Sequence, residues 1–411
     1  MATERKIVVV GGGFGGLFTA LELEGAGDVT LITQDDHFTF APMLYEYLSG
    51  EVEAWHIAPY YKDLVDGKFP VVRGEVTDVD FDRREVHING RKSLNYDALV
   101  LAVGAVSNYY GIAGAANYAL PFRKVAHADE LRRRMACALD HIPPDLPPQD
   151  VRRQLTFAVV GAGASGVELS TKMGDLLRDA FERRDLQGEP RVIILEMGDK
   201  VVPGMGDEIR ELVEDALKES RVEVHTKTRV VEVKPHSLVY EHDGQRTEVE
   251  TVAVVWTAGV CVSPLVKKLD VEKDNHNLIL VEPTLQVKGR EGVFALGDLA
   301  KVESVVPALA GTAQLAFQES SLAASNVKAF LAGRELKTKH FEELGEAVSL
   351  GTENAAMLVG ERAFSGALAR EARFALYTSR LPTWQHRLKV GASWFFEGTM
   401  PQPLQASRFN L

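Results

Sequence analysis

The sequence is poor in cysteine, has no long hydrophobic run and carries an excess of acidic side chains. Its 411 residues include two cysteines, Cys137 and Cys261. They lie far apart and form no C-x-x-C pair, so neither a disulfide framework nor a zinc or other metal site is supported. The net charge of -12 argues against nucleic acid as a partner, because neutralising phosphates requires clustered Lys and Arg.

The lack of long apolar runs disfavours membrane-spanning and secreted classes of protein. No run approaches the roughly 18 apolar residues of a spanning helix, and the start, "MATERKIVVV", has no apolar segment of the signal-peptide type. We therefore expect a protein on the cytoplasmic side, either soluble or lying on a membrane face. The length suggests about two to three domains.

The chain repeats one pattern twice. "KIVVVGGGFGGLFTALELEG" begins at Lys6 and "LTFAVVGAGASGVELSTKMGDLL" begins at Leu155. Each is a short β-branched run, a glycine-rich turn and a helical pattern, and each is followed by a second apolar strand, "DVTLIT" or "RVIILE". This order predicts an α/β fold with two Rossmann-like dinucleotide-binding domains and a C-terminal β/helical segment.

The predicted domain boundaries follow from these copies. "HIPPDLPPQD" is proline-rich and polar and is interpreted as a linker over 141–150. "EGVFALGDLA" resembles a strand that returns to the first domain, which would then be discontinuous. We expect a first domain over 1–140 and 283–340, a second over 151–282 and a C-terminal segment over 341–411.

Both glycine turns have the G-x-G-x-x-G spacing of a dinucleotide site. The first is Gly11, Gly13 and Gly16, and the second is Gly161, Gly163 and Gly166. The first glycine of such a loop permits a tight turn, the second lets the backbone approach a pyrophosphate and the third lets helix and strand pack closely. Two copies in one chain predict two cofactors, most simply FAD and NAD(P)H.

The residue that ends the second strand of each copy should bind the adenosine ribose. Glu196 closes "RVIILE", and a carboxylate there accepts from both ribose hydroxyls and repels a 2′-phosphate, which favours NADH. In the first copy Thr33 takes this place, followed by Gln34 and Asp35. The Thr33 hydroxyl or the Asp35 carboxylate would have to serve instead, and the sequence leaves both open.

The "FALGDLA" element supports FAD at the first site. Gly297 allows close approach of the backbone, and Asp298 can accept from a hydroxyl of the flavin side chain. The alternative is that Asp298 only caps the helix that follows.

The combination of motifs resembles the type II NADH dehydrogenases, single-chain flavoproteins that pass electrons from NAD(P)H to a membrane quinone. The resemblance rests on the two glycine loops, on "WTAG", "FALGD" and "AQLAFQ", and it covers nearly the whole chain. "LYEYLSGEVEAWHIAP" and "LPTWQHRLKVGASW" are similar to the cyanobacterial and plastid branch. Some members of that branch reduce demethylphylloquinone or plastoquinone, and menaquinone is a further candidate acceptor.

The resemblance implies roles for two glutamines and one glutamate. Gln314 and Gln318 share a helix face through their i, i+4 spacing, and in the family this helix lies beneath the flavin ring and lines the quinone pocket. Their neutral amides can donate to a quinone carbonyl. Without that context, a solvated polar stripe is the simpler interpretation. Glu168 is expected to face the nicotinamide or relay protons, the alternative being a glutamate that complements the helix dipole.

The resemblance also implies the wider binding sets. For FAD these are Gly11, Gly13, Phe14, Gly15, Gly16, Thr33, Gln34, Asp35, Pro42, Gly104, Gly297, Asp298, Ala313 and Gln314. For NAD(P)H these are Gly161, Gly163, Ser165, Gly166, Glu168, Glu196, Ala258 and Gly259. The catalytic set is Glu168, Gln314 and Gln318.

The C-terminal segment combines Trp384, Phe395 and Phe396 with basic residues. It is interpreted as docking on an anionic membrane surface, or as packing on the body or in a homodimer. The expected partners are therefore NADH or NADPH, a membrane quinone and a membrane surface. Two alternative functions are a sulfide:quinone oxidoreductase, which needs cysteines at the flavin, and a flavin-binding redox sensor or scaffold with little turnover.

Overall fold

The computed structural model describes residues 5–143, 145–302, 311–342, 344–360 and 362–405. The strands in these ranges are β1 (Lys6–Val10), β2 (Asp28–Thr33), β3 (Val71–Arg73), β4 (Val76–Asp80), β5 (Glu85–Ile88), β6 (Lys92–Asn95), β7 (Ala98–Leu101), β8 (Ala105–Ser107), β9 (Leu120–Pro121), β10 (Thr156–Val160), β11 (Arg191–Leu195), β12 (Val222–His225), β13 (Thr228–Val233), β14 (Ser237–His242), β15 (Gln245–Glu250), β16 (Ala253–Trp256), β17 (Val260–Val262), β18 (Ile279–Val281), β19 (Val293–Ala295), β20 (Ala300–Val302), β21 (Glu346–Ser349), β22 (Ala355–Val359) and β23 (Arg362–Gly366).

The α-helices are α1 (Phe14–Glu22), α2 (Leu44–Ser49), α3 (Ala54–Ile57), α4 (Tyr61–Val65), α5 (Ala115–Tyr118), α6 (Val125–Asp140), α7 (Pro148–Gln154), α8 (Ala164–Arg183), α9 (Asp207–Glu219), α10 (Pro264–Lys268), α11 (Ala313–Leu331), α12 (Ala367–Ser379) and α13 (Trp384–Glu397). Short 3-10 turns span Ala41–Met43 and Gly297–Leu299.

The chain divides into two compact units of three segments each. Unit 1 comprises Met1–Thr39, Ala58–Val106 and Val260–Leu344, and unit 2 comprises Phe40–Ile57, Ser107–Gly259 and Gly345–Leu411.

Unit 1 is built on a parallel sheet with strand order β19-β7-β1-β2-β3. The β1 residues Ile7 and Val9 and the β7 residue Val100 are fully buried, because a parallel sheet is covered on both faces. The returning strand expected in "EGVFALGDLA" is β19, which pairs with β7. A separate antiparallel sheet, β4-β5-β6, belongs to the same unit.

Unit 2 repeats this design with the parallel order β12-β11-β10-β16-β9. Its core includes Ile193, Trp256 and Leu238, which pack in one cluster. Two antiparallel sheets, β13-β14-β15 and β21-β22-β23, are added to it. The two parallel sheets with helices after each glycine turn confirm the predicted fold class.

The units are bounded differently from the predicted domains. Residues 40–57 and 107–140, expected in the first domain, cluster with unit 2, while 260–282, expected in the second, cluster with unit 1. The C-terminal residues 345–411 also belong to unit 2, where ion pairs tie α12 to α2 and α8. In the expected linker 141–150, helix α7 already begins at Pro148. The assignment of one cofactor to each domain stays a prediction.

Candidate dinucleotide and quinone sites

The first glycine loop joins β1 to α1 in a way that only glycine allows. Gly11 has φ +108, and a Cβ on Gly16 would lie 1.8 Å from the carbonyl oxygen of Gly11. A Cβ on Gly13 would meet no described atom within 4 Å, and no described side chain caps the first turn of α1. Open space in front of uncapped N–H groups fits a dinucleotide pyrophosphate.

The second loop has the same construction in unit 2. Gly161 has φ +103, and a Cβ on Gly166 would lie 1.9 Å from its carbonyl oxygen. The space in front of Gly163 is again open in the described structure, and the N-terminus of α8 is again without a described side-chain cap. Ser165 is exposed in the first turn of this helix. The residues present therefore fit two dinucleotides, one in each unit.

The predicted ribose acid of unit 2 lies at the edge of its glycine loop. One carboxylate oxygen of Glu196 accepts from the N–H of Ala162 at 2.7 Å, and the other accepts from the N–H of Gly198 at 2.7 Å. Ala258 and Gly259 follow β16 in the same unit, where Ala258 is half-buried and Gly259 is exposed. This places the predicted NAD(P)H residues, other than the deeply buried Glu168, around one loop.

In unit 1 the corresponding region carries no acid at the end of β2. Thr33 is buried, Gln34 is exposed with its carbonyl accepting from Arg73 Nε at 3.2 Å, and Asp35 is half-buried. The ring of Phe14 contacts that of Phe38 edge to face, with 5.3 Å between centroids.

The Gly297–Asp298 turn is held by a glutamate that the sequence analysis missed. Gly297 has φ +74, and its N–H donates to the carboxylate of Glu319 at 2.7 Å. Burial raises the pKa of Glu319 to about 7, opposed by this hydrogen bond. Helix α11 is capped by Thr312, whose hydroxyl accepts from Leu315 N–H at 3.1 Å, so Asp298 is not its cap.

Two other predicted FAD residues differ in their placement. Gly104 has φ +63 and open space before it in the described part of unit 1. Pro42 belongs to unit 2, where its carbonyl accepts from Arg373 at 2.9 Å.

Gln314 and Gln318 are both half-buried on α11, close to its N-terminus. The Gln318 amide is engaged at both ends: Nε2 donates to the carbonyl of Glu342 at 2.8 Å, and Oε1 accepts from the N–H of Glu342 at 3.1 Å. On the same helix face, Ser321 donates to the carboxylate of Glu22. Two members of the expected polar stripe, Gln318 and Ser321, therefore bond to protein groups. The Gln318 amide fixes the main chain of residue 342 against the helix through these two hydrogen bonds.

Glu168 belongs to a buried ionic cluster within unit 2, made of Glu46, Glu51, Glu168, Lys172, Arg370 and Arg373. Arg373 bridges two of its carboxylates, Glu46 at 2.6 Å and Glu168 at 2.9 Å. The N–H of Ser349 also donates to Glu168 at 2.9 Å. The dipole interpretation of Glu168 is therefore insufficient, because its carboxylate has its own buried partners.

The cluster continues along α8 to Lys172, which is 1% exposed. Its ammonium lies 3.7 Å from Glu46 and bonds to Glu51, and Glu51 also accepts from Arg370 at 2.8 Å. Glu46 Oε2 and Arg373 Nε are buried without a hydrogen-bond partner among the described residues. Buried ions are costly unless they are paired, so this cluster depends on each member.

The cluster shifts the pKa values of two of its carboxyl groups in opposite directions. Burial raises the pKa of Glu168 to about 7, which Arg373 opposes and Glu46 reinforces. Burial acts in the same sense on Glu46, but the Arg373 and Lys172 cations outweigh it and lower its pKa. A carboxyl group that titrates near neutral pH is suited to proton transfer.

Comparisons with known proteins point to one family. Residues 5–316 match the pyridine nucleotide-disulphide oxidoreductase family. The chain is 34% identical over 402 residues to the demethylphylloquinone reductase NdbB of Synechocystis sp., with 95% of each chain covered. It is 31% identical over 410 residues to the type II NADH:quinone oxidoreductase NdhA of Mycobacterium tuberculosis, covering 95% of this chain and 86% of that one.

The chain belongs to the pyridine nucleotide-disulphide oxidoreductase family, among the type II NADH:quinone oxidoreductases. Its fold is also that of NDH2 from Plasmodium falciparum in complex with NADH, with a TM-score of 0.84 at 19% identity, covering 98% of this chain and 99% of that one. The predicted family, the oxidoreductase class and the cofactors FAD and NAD(P)H are thereby confirmed. The individual site residues remain predictions.

The C-terminal helix α13 exposes a line of large apolar side chains. Trp384 and Leu388 are 67% and 65% exposed, and Phe395 and Phe396 are both 82% exposed. The opposite side of α13 is anchored within unit 2, where His386 Nε2 lies 2.8 Å from the carbonyl oxygen of His56. No helix of the described residues is long and apolar enough to cross a bilayer.

Proposed function

We propose that this type II NADH:quinone oxidoreductase passes two electrons from NAD(P)H to a membrane quinone by way of FAD, without pumping protons. The proposal is carried by the two open glycine cradles, one per unit, in a chain whose relatives are named quinone reductases. The overall reaction is NADH + H⁺ + quinone → NAD⁺ + quinol. FAD, when bound, supplies a two-electron centre that takes a hydride and releases the electron pair.

The chain's own residues have separate tasks in this proposal. Unit 1 holds FAD through its glycine loop and Asp298, and unit 2 holds the nicotinamide dinucleotide through Gly163 and Glu196. The carboxylate of Glu196 favours NADH because it would repel a 2′-phosphate. Glu168 holds the proton that accompanies the electrons.

For the quinone contact we propose Gln314 rather than Gln318 as the main donor. Both are half-buried, but the amide of Gln318 already bonds twice to Glu342, which makes Gln318 a positioning residue for the segment it holds. A neutral amide can donate to a quinone carbonyl without burying a charge.

Anaerobic flavin spectra test both the proposed function and the assignment of the quinone contact to Gln314. NADH should bleach the flavin, and a quinone should restore its absorbance. Gln314→Ala should slow the quinone step roughly tenfold, which corresponds to about one lost hydrogen bond to substrate, and should leave bleaching by NADH unchanged. A panel of plastoquinone, menaquinone and demethylphylloquinone analogues identifies the acceptor. Flavin that NADH does not bleach, or equal loss of both steps in the variant, would contradict the proposal.

The reaction should depend on pH through Glu168. Because its pKa is raised to about 7, the carboxyl group is protonated below that value and loses its proton as the pH rises through it. Quinone reduction at saturating NADH should therefore fall above about pH 7, and Glu168→Gln should give a lower rate without that inflection. The groups that face Glu168 are Arg373, Glu46, Lys172, Tyr45, Tyr377 and the N–H of Ser349. An unchanged profile in the variant would remove Glu168 from proton transfer.

We further propose that α13 docks the enzyme on the cytoplasmic face of a membrane, where its quinone resides. Burying one phenylalanine side chain contributes about 1.5–3 kcal/mol, and exposed Lys389 adds attraction to anionic lipid. The double variant Phe395→Ser/Phe396→Ser should lose most of its co-sedimentation with vesicles containing phosphatidylglycerol. Leu368→Ser, at an equally exposed site on α12, is the matched control. Unchanged sedimentation together with conversion of a dimer to a monomer would assign this face to self-association instead.

A further inference from the structure

The two glycine loops of this chain have the same construction, so each position in one loop can be compared with the equivalent position in the other. In unit 2 the Glu196 carboxylate accepts from the N–H of Ala162, the residue between Gly161 and Gly163. Gly12 occupies the same position between Gly11 and Gly13, and Thr33 ends β2 where Glu196 follows β11. A threonine side chain is shorter and uncharged, so unit 1 lacks the carboxylate that unit 2 has at this place.

A tyrosine fills the space beside Thr33. Tyr61, the first residue of α4, is 4% exposed, and its hydroxyl donates to the carbonyl of Gly12 at 2.7 Å. A Cβ added to Gly12 would lie 2.1 Å from Tyr61 Oη and 2.8 Å from Thr33 Oγ1, so both hydroxyl groups abut this residue. The backbone of Tyr61 is fixed as well, because its N–H donates to the carbonyl of Asp36 at 3.1 Å.

The direction of these hydrogen bonds follows from the number of protons available. Burial raises the pKa of Tyr61, and the neighbouring hydroxyl of Thr33 opposes that rise. Because the Tyr61 proton is donated to the carbonyl of Gly12, Thr33 is the donor when the two hydroxyl groups bond to each other. Each hydroxyl has one proton. With the Thr33 proton directed to Tyr61 and the Tyr61 proton directed to Gly12, the Thr33 oxygen presents only lone pairs to any further partner. It is an acceptor held in place, as a carboxylate oxygen would be.

We propose that Thr33 and Tyr61 together form a neutral replacement for the ribose-binding carboxylate in unit 1. Thr33 Oγ1 accepts a hydrogen bond from an adenosine ribose hydroxyl, and Tyr61 is the positioning residue that fixes the Thr33 rotamer and the loop at Gly12. This inference rests on the proposed function in assigning FAD to unit 1.

The test is the rate at which diluted holoenzyme releases FAD, followed as the rise in flavin fluorescence. Thr33→Val and Tyr61→Phe should each accelerate release roughly five- to tenfold, the effect of one lost hydrogen bond. The double variant should be no more than about twofold faster than either single one, because the two hydroxyl groups act in series. Thr33→Ser, which keeps the hydroxyl, should release FAD at nearly the wild-type rate.

Tyr60→Phe is the matched control, since Tyr60 is the exposed neighbour of Tyr61, and it should leave release unchanged. Wild-type release rates in both Thr33→Val and Tyr61→Phe, or effects that multiply in the double variant, would overturn the inference. Faster release in Asp35→Asn alone would assign the ribose contact to Asp35 and overturn it equally. A wild-type protein that carries no flavin would overturn the proposed function itself, which is a different outcome from a flavoprotein insensitive to these substitutions.

Discussion

Arg373→Met should lower the midpoint of thermal unfolding by roughly 6–20 °C, the shift that corresponds to about 3–5 kcal/mol for a domain of this size. The Arg373 side chain is 2% exposed and joins Glu46 and Glu168, which are themselves buried. Methionine matches much of its volume but leaves two carboxylates without the cation between them. Lys172 cannot replace it, since that ammonium is 3.7 Å from Glu46 and is already bonded to Glu51.

The pH dependence distinguishes lost charge from lost packing. Without Arg373 the lowered pKa of Glu46 should rise and the raised pKa of Glu168 should rise further, so the folded variant binds protons that its unfolded chain releases. Its stability deficit relative to wild type should therefore narrow as the pH is lowered from 8 to 5. Arg373→Lys should recover part of the loss. Arg133→Met removes an exposed pair with Glu130 and should change stability by less than about 1 kcal/mol. A deficit of equal size at pH 5 and pH 8 would refute the electrostatic explanation.

The cluster around Arg373 also marks what the sequence could not predict. The glycine loops and Glu196 were predictable because turn, strand and helix signals are local, within about 40 residues of chain. The bond from Arg373 to Glu46 joins positions 327 residues apart, and no periodicity or spacing encodes such a pair. In the sequence, Arg373 is one basic residue of a basic and aromatic stretch, which favours a surface helix over a buried ion.

For Gln318, sequence reasoning identified the residue but not all of its contacts. The A-Q-x-A-x-Q pattern indicated a functional helix face, and α11 forms as expected. The partners of the Gln318 amide are the main-chain N–H and carbonyl of Glu342. Main-chain groups of an irregular segment have no sequence signature, so this contact requires coordinates. Tyr61 was missed for a similar reason, since its partner is the carbonyl of Gly12.

Alanine at the middle glycine of one loop should weaken the binding of FAD alone, and alanine at the middle glycine of the other should weaken the binding of NADH alone. Gly13 and Gly163 have φ values of -75° and -68°, which alanine adopts readily, and their added Cβ atoms would meet no described atom within 4 Å. The fold should therefore tolerate both substitutions. A pyrophosphate that approaches the backbone at this point would bind poorly to either variant, because the alanine methyl group would occupy its place.

Gly13→Ala should reduce the FAD-to-protein ratio of the purified enzyme at least about tenfold while leaving NADH binding, measured by calorimetry, intact. Gly163→Ala should keep its full complement of FAD and weaken NADH at least about tenfold. Gly204→Ala, at another open glycine, should change neither. Gly16→Ala is the opposite control: its Cβ would lie 1.8 Å from the carbonyl oxygen of Gly11, so it should lose stability as well as flavin. If Gly163→Ala lost flavin and Gly13→Ala lost NADH, the assignment of the cofactors to the two units would be reversed. If neither substitution affected a cofactor, the open spaces before these glycines would not be the pyrophosphate sites.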